Sequence, residues 1–200
     1  MSNNEDAGVV DGRRLRSERS RLAIIEAALA LQEEGILVPT AKQISDRAGV
    51  GMRSFFRHFE DMGALFEAAD NQIRDSYEVL FLGGNRGGML ADRIDRAVER
   101  HADAYESVKN VVLGTQAQLW RYDILRKNYG RNQRGLRRDL EDWLPELKSV
   151  SGETREAVDA IASFEMWNRL RYHQGLSKKS SINILKGLLK SMIDGDRAGS

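Results

Sequence analysis

Apolar residues recur at intervals of three and four through most of the chain. Leu22, Ile25 and Leu29 form one stripe, Leu65, Ala69, Ile73 and Tyr77 a second, and Ile182, Leu185, Leu189 and Met192 a third. This is the period of an α-helix with one buried side. No segment alternates apolar and polar residues between hairpin turns, so the pattern predicts an all-α protein. The predicted helices, about nine, span 17–34, 40–47, 51–57, 62–80, 89–106, 109–127, 130–146, 152–174 and 178–193. Residues 1–12 and 196–200 lack the periodicity and read as disordered polar tails. The two prolines, Pro39 and Pro145, leave room for long uninterrupted helices. Gly83, Gly84, Gly87 and Gly88 mark a flexible break after the fourth predicted helix.

Two of the helix starts carry a capping signal. Thr40 follows Pro39 and precedes Gln43 by three positions, the spacing at which side chains and early backbone donors satisfy one another. Ser177 stands before Lys178 and a helical run, again a natural N-cap. After Thr40 the chain reads Ala-Lys-Gln-Ile-Ser-Asp-Arg-Ala-Gly-Val-Gly-Met-Arg-Ser-Phe-Phe-Arg-His-Phe, ending at Phe59. A short capped helix, a turn at Ala48-Gly49-Val50 and a second short helix have the spacing of a helix-turn-helix. Ile44 and Ala48 give the first helix its inward stripe. Gly49 permits the positive φ that a sharp turn between helices requires. In the second helix Phe55 and Phe59 face inward, while Arg53, Ser54, Arg57 and His58 face solvent. Arginines and short polar side chains at an exposed helix start suit reading of the DNA major groove. A plain helical hairpin inside an all-α core is the simpler alternative, and the combination of cap, turn and aromatic run weighs against it.

Residues 21–65 resemble the DNA-binding domain of the tetracycline-repressor (TetR) family of bacterial regulators. The resemblance rests on Arg21, Ile25, Ala27-Ala28, Gly35, Thr40, Ile44, the Ala48-Gly49-Val50 turn, Phe56-Arg57-His58-Phe59 and Leu65. It implies a DNA-binding domain over 13–60 and a ligand-binding and dimerisation domain over 61–195. It further implies a homodimer, paired through 152–174 and 178–193, that binds a palindromic operator on double-stranded DNA and is released by a small molecule. Carried onto this sequence, the DNA-binding residues are Arg13, Arg14, Thr40, Lys42, Gln43, Gly51, Arg53, Ser54, Phe56, Arg57 and His58. Arg53 and Ser54 would read base edges, and Thr40, Lys42, Phe56, Arg57 and His58 would set register on phosphates. The chain departs from the family pattern at Gly51, Arg53 and Phe56, where family members often carry Ser, Gly and Tyr, and Met62 stands where a lysine is common.

The net charge of +1 conceals a segregated pattern. Residues 13–59 carry +4 and residues 109–138 carry +7, whereas residues 60–108 carry −6. Such asymmetry points to local surfaces for an anionic partner. The arginines at 13, 14, 16 and 19 read as a DNA-contacting arm or as a solvated helix start. The run 121–138 reads as a solvated face paired with neighbouring acids, or as a pocket mouth for an anionic ligand such as an acyl-thioester or a carboxylate. The absence of cysteine excludes disulfides and zinc-thiolate sites. No apolar run approaches the ~20 residues of a membrane span, and the Met-Ser-Asn-Asn-Glu-Asp opening has no apolar signal core, so the cytoplasm is expected and a membrane role is not.

The aromatic residues of the C-terminal part fit either a core or a ligand cavity. Phe81, Trp120, Tyr129 and Phe164 are the candidate cavity residues. His58, His101 and His173 lie far apart and form no metal pattern. The Gly83–Gly88 run lacks the Lys-Ser/Thr ending of a phosphate loop, and no serine sits in a nucleophile elbow. The expectation is a regulator that is not an enzyme and carries no cofactor or metal, in its commonest form a repressor. Two alternatives stay open: a small-molecule-binding all-α protein or enzyme with a vestigial helix-turn-helix, and a DNA-binding protein that no ligand controls.

Overall fold

The computed structural model describes residues 5–199, and the side chains of residues 12–198. The described residues form nine α-helices and no strand: α1 (Glu5–Glu33), α2 (Ala41–Arg47), α3 (Met52–His58), α4 (Met62–Phe81), α5 (Leu90–Gln116), α6 (Asp123–Trp143), α7 (Gly152–Ala162), α8 (Phe164–Asn168) and α9 (Lys178–Gly199). A 3-10 turn follows α6 at Pro145–Lys148 and a π-helical turn continues α8 over Arg169–His173.

The observed boundaries differ from the expected ones in five places, one of them the start of α6, which lies at Asp123 where the sequence predicts a break at 128–129 and a start at 130. Residues 1–12, expected as a tail, are helical from Glu5 onward, and residues 1–4 lie outside the described residues. Here the early part of α1 is supported locally: Arg14 pairs with Glu18 one turn on, and Arg16 donates to the Gly12 carbonyl. At the other end α9 runs through the expected tail at 196–200 as far as Gly199. The Asp196 carboxylate accepts hydrogen bonds from the Ser151 amide and the Thr154 hydroxyl at 3.1 and 2.7 Å, which fixes the last turn against the start of α7. In the middle of the chain α5 passes unbroken through 107–108, where nothing in the sequence stops a helix, and ends at Gln116 instead. There Gln118 and Leu119 turn back with i→i+3 bonds to Thr115 and Gln116. Finally, the expected helix 152–174 is cut at Ser163, whose hydroxyl both donates to the Ala160 carbonyl and accepts from the Met166 amide, restarting the chain as α8.

The chain packs as two units. The first joins the chain up to Arg74 with Asn110–Tyr129, and the second joins Asp75–Lys109 with the chain from Gly130 onward. The sequence suggested a boundary at 60/61; packing groups 61–74 and 110–129 with the N-terminal helices. In the first unit Ile24, Ile25, Ile44, Phe55, Phe59 and Leu65 are almost fully buried in one cluster. Helices as short as α2 and α3 are marginal alone. Burial of side chains this size contributes about 1.5–3 kcal/mol each, enough to hold both helices in place. Gly114 of α5 lies so close to the α1–α2 loop that an added Cβ would stand 2.6 Å from the Leu37 carbonyl oxygen.

In the second unit Trp143, Leu147, Val158, Phe164, Trp167 and Leu189 form the buried interior. The glycine-rich connection between α4 and α5 is held by arginines of α5. Arg100 donates to the Val79, Phe81 and Leu82 carbonyls at the end of α4, and Arg96 donates to the Asn85 and Gly87 carbonyls. Gly84 adopts φ +89°, and a Cβ there would meet the buried Trp143 ring at 2.7 Å.

Candidate nucleic-acid interface

The helix-turn-helix is built from local signals that agree. Thr40 is the N-cap of α2: its hydroxyl oxygen accepts from the Gln43 amide at 3.2 Å, while its own amide donates to Gln43 Oε1 at 2.9 Å. This reciprocal pair satisfies two backbone donors that a helix start otherwise leaves open. After α2 the chain turns at Gly49, with φ +66°. The Val50 amide reaches back to the Ser45 carbonyl at 3.0 Å. A residue with a Cβ would be strained at that φ. Gly51 then caps α3 without a side-chain contribution, its carbonyl accepting from Ser54 and Phe55.

Along α3 the two faces separate as the sequence suggests. Phe55 and Phe59 are buried and pack on each other with ring centroids 6.0 Å apart, and the Arg21 guanidinium lies over the Phe59 ring at 5.2 Å. Phe56 stands edge-on to Phe55 yet remains 52% exposed. Arg53 is exposed and makes no hydrogen bond or ion pair among the described residues. Arg57 is exposed and donates to the Ser54 hydroxyl at 2.9 Å, so these two expected contacts are already joined. Its neighbour His58 is turned partly inward, with Nε2 shielded from solvent and unpartnered among the described residues. Burial, aided by the charges of Arg57 and Arg21, lowers its pKa below the ordinary histidine value. A neutral ring contributes no charge to a phosphate, so the cationic part of this face is Arg53 and Arg57.

The other expected residues lie around this helix or before it. Lys42 is exposed and pairs with Asp46 at 2.8 Å on α2. Arg13 and Arg14 are exposed on α1, Arg14 paired with Glu18 at 3.2 Å. Sequence reasoning passed over two supporting contacts. Arg47 and Glu34 form an exposed bidentate pair joining α2 to the end of α1, the pairing raising the arginine pKa and lowering that of the carboxyl. Asp61 accepts from the Ala64 amide at 2.8 Å and so caps α4; an Asp three residues ahead of the donor is a signal the sequence does contain.

The second unit holds a cavity of about 560 Å³, between α5, α6, α7 and α8, within the range of small-molecule sites. Leu136, Leu140, Ala162 and Met166 give it apolar walls, and His101, Tyr105 and Asp159 are among its polar lining. His101 is buried; its Nε2 lies 2.9 Å from Asp139 Oδ2, and Arg86 pairs with the other oxygen of that carboxylate. The Tyr105 hydroxyl donates to the Ala162 carbonyl at 2.9 Å. None of the four aromatic residues expected to line a cavity is in this lining. Phe81 and Phe164 stand one layer back, each with its ring against Tyr105. Trp120 and Tyr129 belong to the first unit. Trp120 is 79% exposed in the turn after α5, its indole N–H donating to the Ala117 carbonyl, and the Tyr129 hydroxyl accepts from Gln116. Within the basic run 121–138, Arg126 pairs with Asp123, and Arg137 with Glu156 and Glu141.

Comparison with known proteins bears on both units. Residues 24–69 match the family model of bacterial regulatory proteins, tetR family. No curated protein matches the sequence. A solved structure described as a TetR-family transcriptional regulator from Rhodococcus sp. is similar over 87% of this chain and 98% of its own, at 22% identity and a TM-score of 0.63. A transcriptional regulator from Rhodococcus sp. Rha1 is similar over 90% and 96%, at 15% identity and a TM-score of 0.66. One from Streptomyces coelicolor A3(2) is similar over 88% and 98%, at 22% identity and a TM-score of 0.55. At these identities the likeness is one of fold. Among the described residues no helix is long and apolar enough to cross a membrane.

Proposed function

We propose that this chain, whose residues 24–69 match the tetR family of bacterial regulatory proteins, is a dimeric regulator that reads a palindromic operator and releases it when a small molecule enters the second unit. DNA-binding transcription regulation is the function the family and the fold support. The observation that carries the finer reading is the split surface of α3: two buried phenylalanines fix the helix, and Arg53, Ser54, Phe56 and Arg57 are left on its outer side. A dimer would set two such helices into successive major grooves, roughly 34–36 Å apart. Arg53 and Ser54 would read base edges. Thr40, Lys42, Phe56 and Arg57 would contact the sugar-phosphate backbone, Phe56 through its ring alone.

The dimer reading is supported by α9. Leu185, Leu189 and Ile193 are buried on its inner side, while Ile184 and Leu188, at 38% and 40% exposure, leave an apolar strip on the outer side that a second copy would cover. Repression is the mode proposed, since an occupied operator blocks access to the same DNA. The test is selection from a pool of random DNA duplexes by the full-length protein, sequenced after several rounds and repeated at two salt concentrations. An inverted repeat with affinity falling steeply with salt is the expected result. Weak binding without enrichment of any motif would overturn the proposal.

A further inference from the structure

The charge that makes the first unit basic lies outside the helix-turn-helix. The +4 of residues 13–59 is carried entirely by residues 13–21, five arginines against one glutamate, while residues 22–59 hold four bases and four acids. Two of those four bases are paired within the domain, Lys42 with Asp46 and Arg47 with Glu34. That leaves Arg53 and Arg57, and Phe56 has no hydroxyl to offer a phosphate. Affinity for duplex DNA comes largely from cations that neutralise phosphates, so two per protomer is a poor supply. Upstream of Gly12 the sequence holds three acids and no basic side chain, so the basic segment is bounded on both sides.

That segment has a form and a direction. It belongs to the first half of α1, where every side chain from Arg13 to Arg19 is exposed, and the buried contacts of α1 begin only at Ile24. The helical period places Arg13, Ser17 and Ser20 on the stripe that continues as Ile24, Ala28 and Leu31. Arg14 and Arg21 stand on the adjoining stripe, which continues as Ile25. The side of α1 that is buried in the domain thus becomes a basic side where the helix runs beyond it. Arg19 lies on the opposite side with the exposed Leu15 and Leu22. Arg21 fixes which way the basic side looks. Its guanidinium lies over the Phe59 ring at the end of α3, and its charge acts with that of Arg57 on His58. The basic side therefore runs from the end of α3, beside Arg57, out along α1. Arg13, Arg19 and Arg21 make no hydrogen bond or ion pair among the described residues. Arg14 has only its exposed pair with Glu18, and such pairs yield readily to another anion.

We propose that the exposed first half of α1 is a folded DNA clamp: Arg13, Arg14 and Arg21 bind backbone phosphates of double-stranded DNA beside the groove that α3 occupies, without reading its sequence. This rests on the reading that α3 enters the major groove, and it names where most of the binding charge resides. The full-length protein is titrated by fluorescence anisotropy over a range of KCl concentrations, with the selected operator and with a duplex of equal length and unrelated sequence. The logarithm of affinity falls against that of salt with a slope of about 0.9 for each phosphate neutralised. Arg13→Gln with Arg14→Gln removes two contacts from each of two protomers, so the operator slope should become shallower by about 3–4. Both duplexes should weaken together, so that the preference for the operator is kept. Arg21→Gln should make the slope shallower by about 2; its melting temperature is read alongside, since that arginine also stacks on Phe59. Arg19→Gln removes the same charge from the opposite side of α1 and should leave the slope at its parental value. Ser17→Pro interrupts the helix and should weaken both duplexes; parental affinity there would mean that the segment binds as an extended arm, against the proposal. A parental slope in the Arg13→Gln, Arg14→Gln protein, or an equal loss in Arg19→Gln, would overturn the clamp. So would loss of the operator preference alone, which would mean that these arginines read sequence. If the parent protein enriches no motif but the double substitution still weakens the unrelated duplex, the reading of α3 fails and the clamp stands.

Discussion

Replacing Gly114 by alanine should destabilise the protein, against the ordinary preference of helices for alanine. Gly114 lies inside α5, where exchange for alanine would by propensity alone stabilise by about 0.8–1.0 kcal/mol. The new Cβ, however, would stand 2.6 Å from the Leu37 carbonyl oxygen and 2.7 Å from Gln32 Nε2. A side-chain amide can swing aside, but a backbone carbonyl moves only with its loop. Forcing an extra carbon into such a contact costs about 1–3 kcal/mol. The Gln32–Leu37 hydrogen bond would also be lost, and such a bond is worth roughly 0.5–1.5 kcal/mol. The net expectation is a loss of about 1–3 kcal/mol, which for a chain this size lowers the melting temperature by roughly 2–10 °C. Gly135 of α6 is the matched comparison, since a Cβ there meets nothing within 4 Å. Gly135→Ala should raise the midpoint by about 1–4 °C. Thermal unfolding of the two variants beside the parent protein gives the answer. Equal stabilisation by both substitutions would mean that α5 does not approach the α1–α2 loop as described.

Three further outcomes are expected. Arg53→Ala should weaken binding to the selected operator by ~1–3 kcal/mol and relax one base preference; parental affinity and selectivity in a fluorescence anisotropy titration would remove Arg53 from the reading face. Thr40→Ala removes the oxygen that accepts from the Gln43 amide and should lower stability by about 1 kcal/mol, measured by urea unfolding, with Thr40→Ser restoring most of it. The hydrogen bond from Arg93 holds Glu146 below the usual carboxylate range, so its contribution is present at neutral pH and is lost as pH falls through that depressed value. Glu146→Gln should therefore cost about 1.5–3 kcal/mol at neutral pH, with the gap to the parent protein closing in acid; a gap that stays constant down to about pH 3 would show that the charge is not what matters.

The helix-turn-helix could be read from the sequence because each part of it is decided within a few residues. Thr40 and Gln43 cap each other across three positions, Gly49 alone accepts the turn, and the Phe55–Phe59 spacing orients α3 by itself. His58 shows the limit of that reasoning. It lies next to an outward Arg57, but its Nε2 is buried, which depends on how α3 rests on the elements beneath it. The cavity was less accessible still. His101, Asp139 and Asp159 come from three helices, and no spacing between them signals that they meet. Aromatic size drew attention to Trp120, which sits in a turn facing solvent, while Tyr105 lines the cavity. The break at Ser163 went unread because a serine inside an amphipathic run looks like any polar position until its hydroxyl is seen to restart the helix.

The connection between α4 and α5 is gripped by its main chain. Arg96 and Arg100 bind carbonyl oxygens, and every residue type supplies a carbonyl. Side-chain identity at Leu82 and Met89 is thus largely irrelevant to that grip, and sequence drift there should be nearly free, whereas the Asn85 side chain accepts from the Gly87 amide at 2.9 Å and is not interchangeable. Arg96 and Arg100 have no such latitude, since a lysine in either place offers one compact ammonium where a forked guanidinium reaches several oxygens. Gly84 is fixed for a different reason, the Trp143 ring pressed against it. Arg86 is tied by its side chain to Asp139, but at Leu82 and Met89 the segment can vary in chemistry without changing course, so its surface can adapt there to new surroundings while the path of the backbone from α4 to α5 is kept.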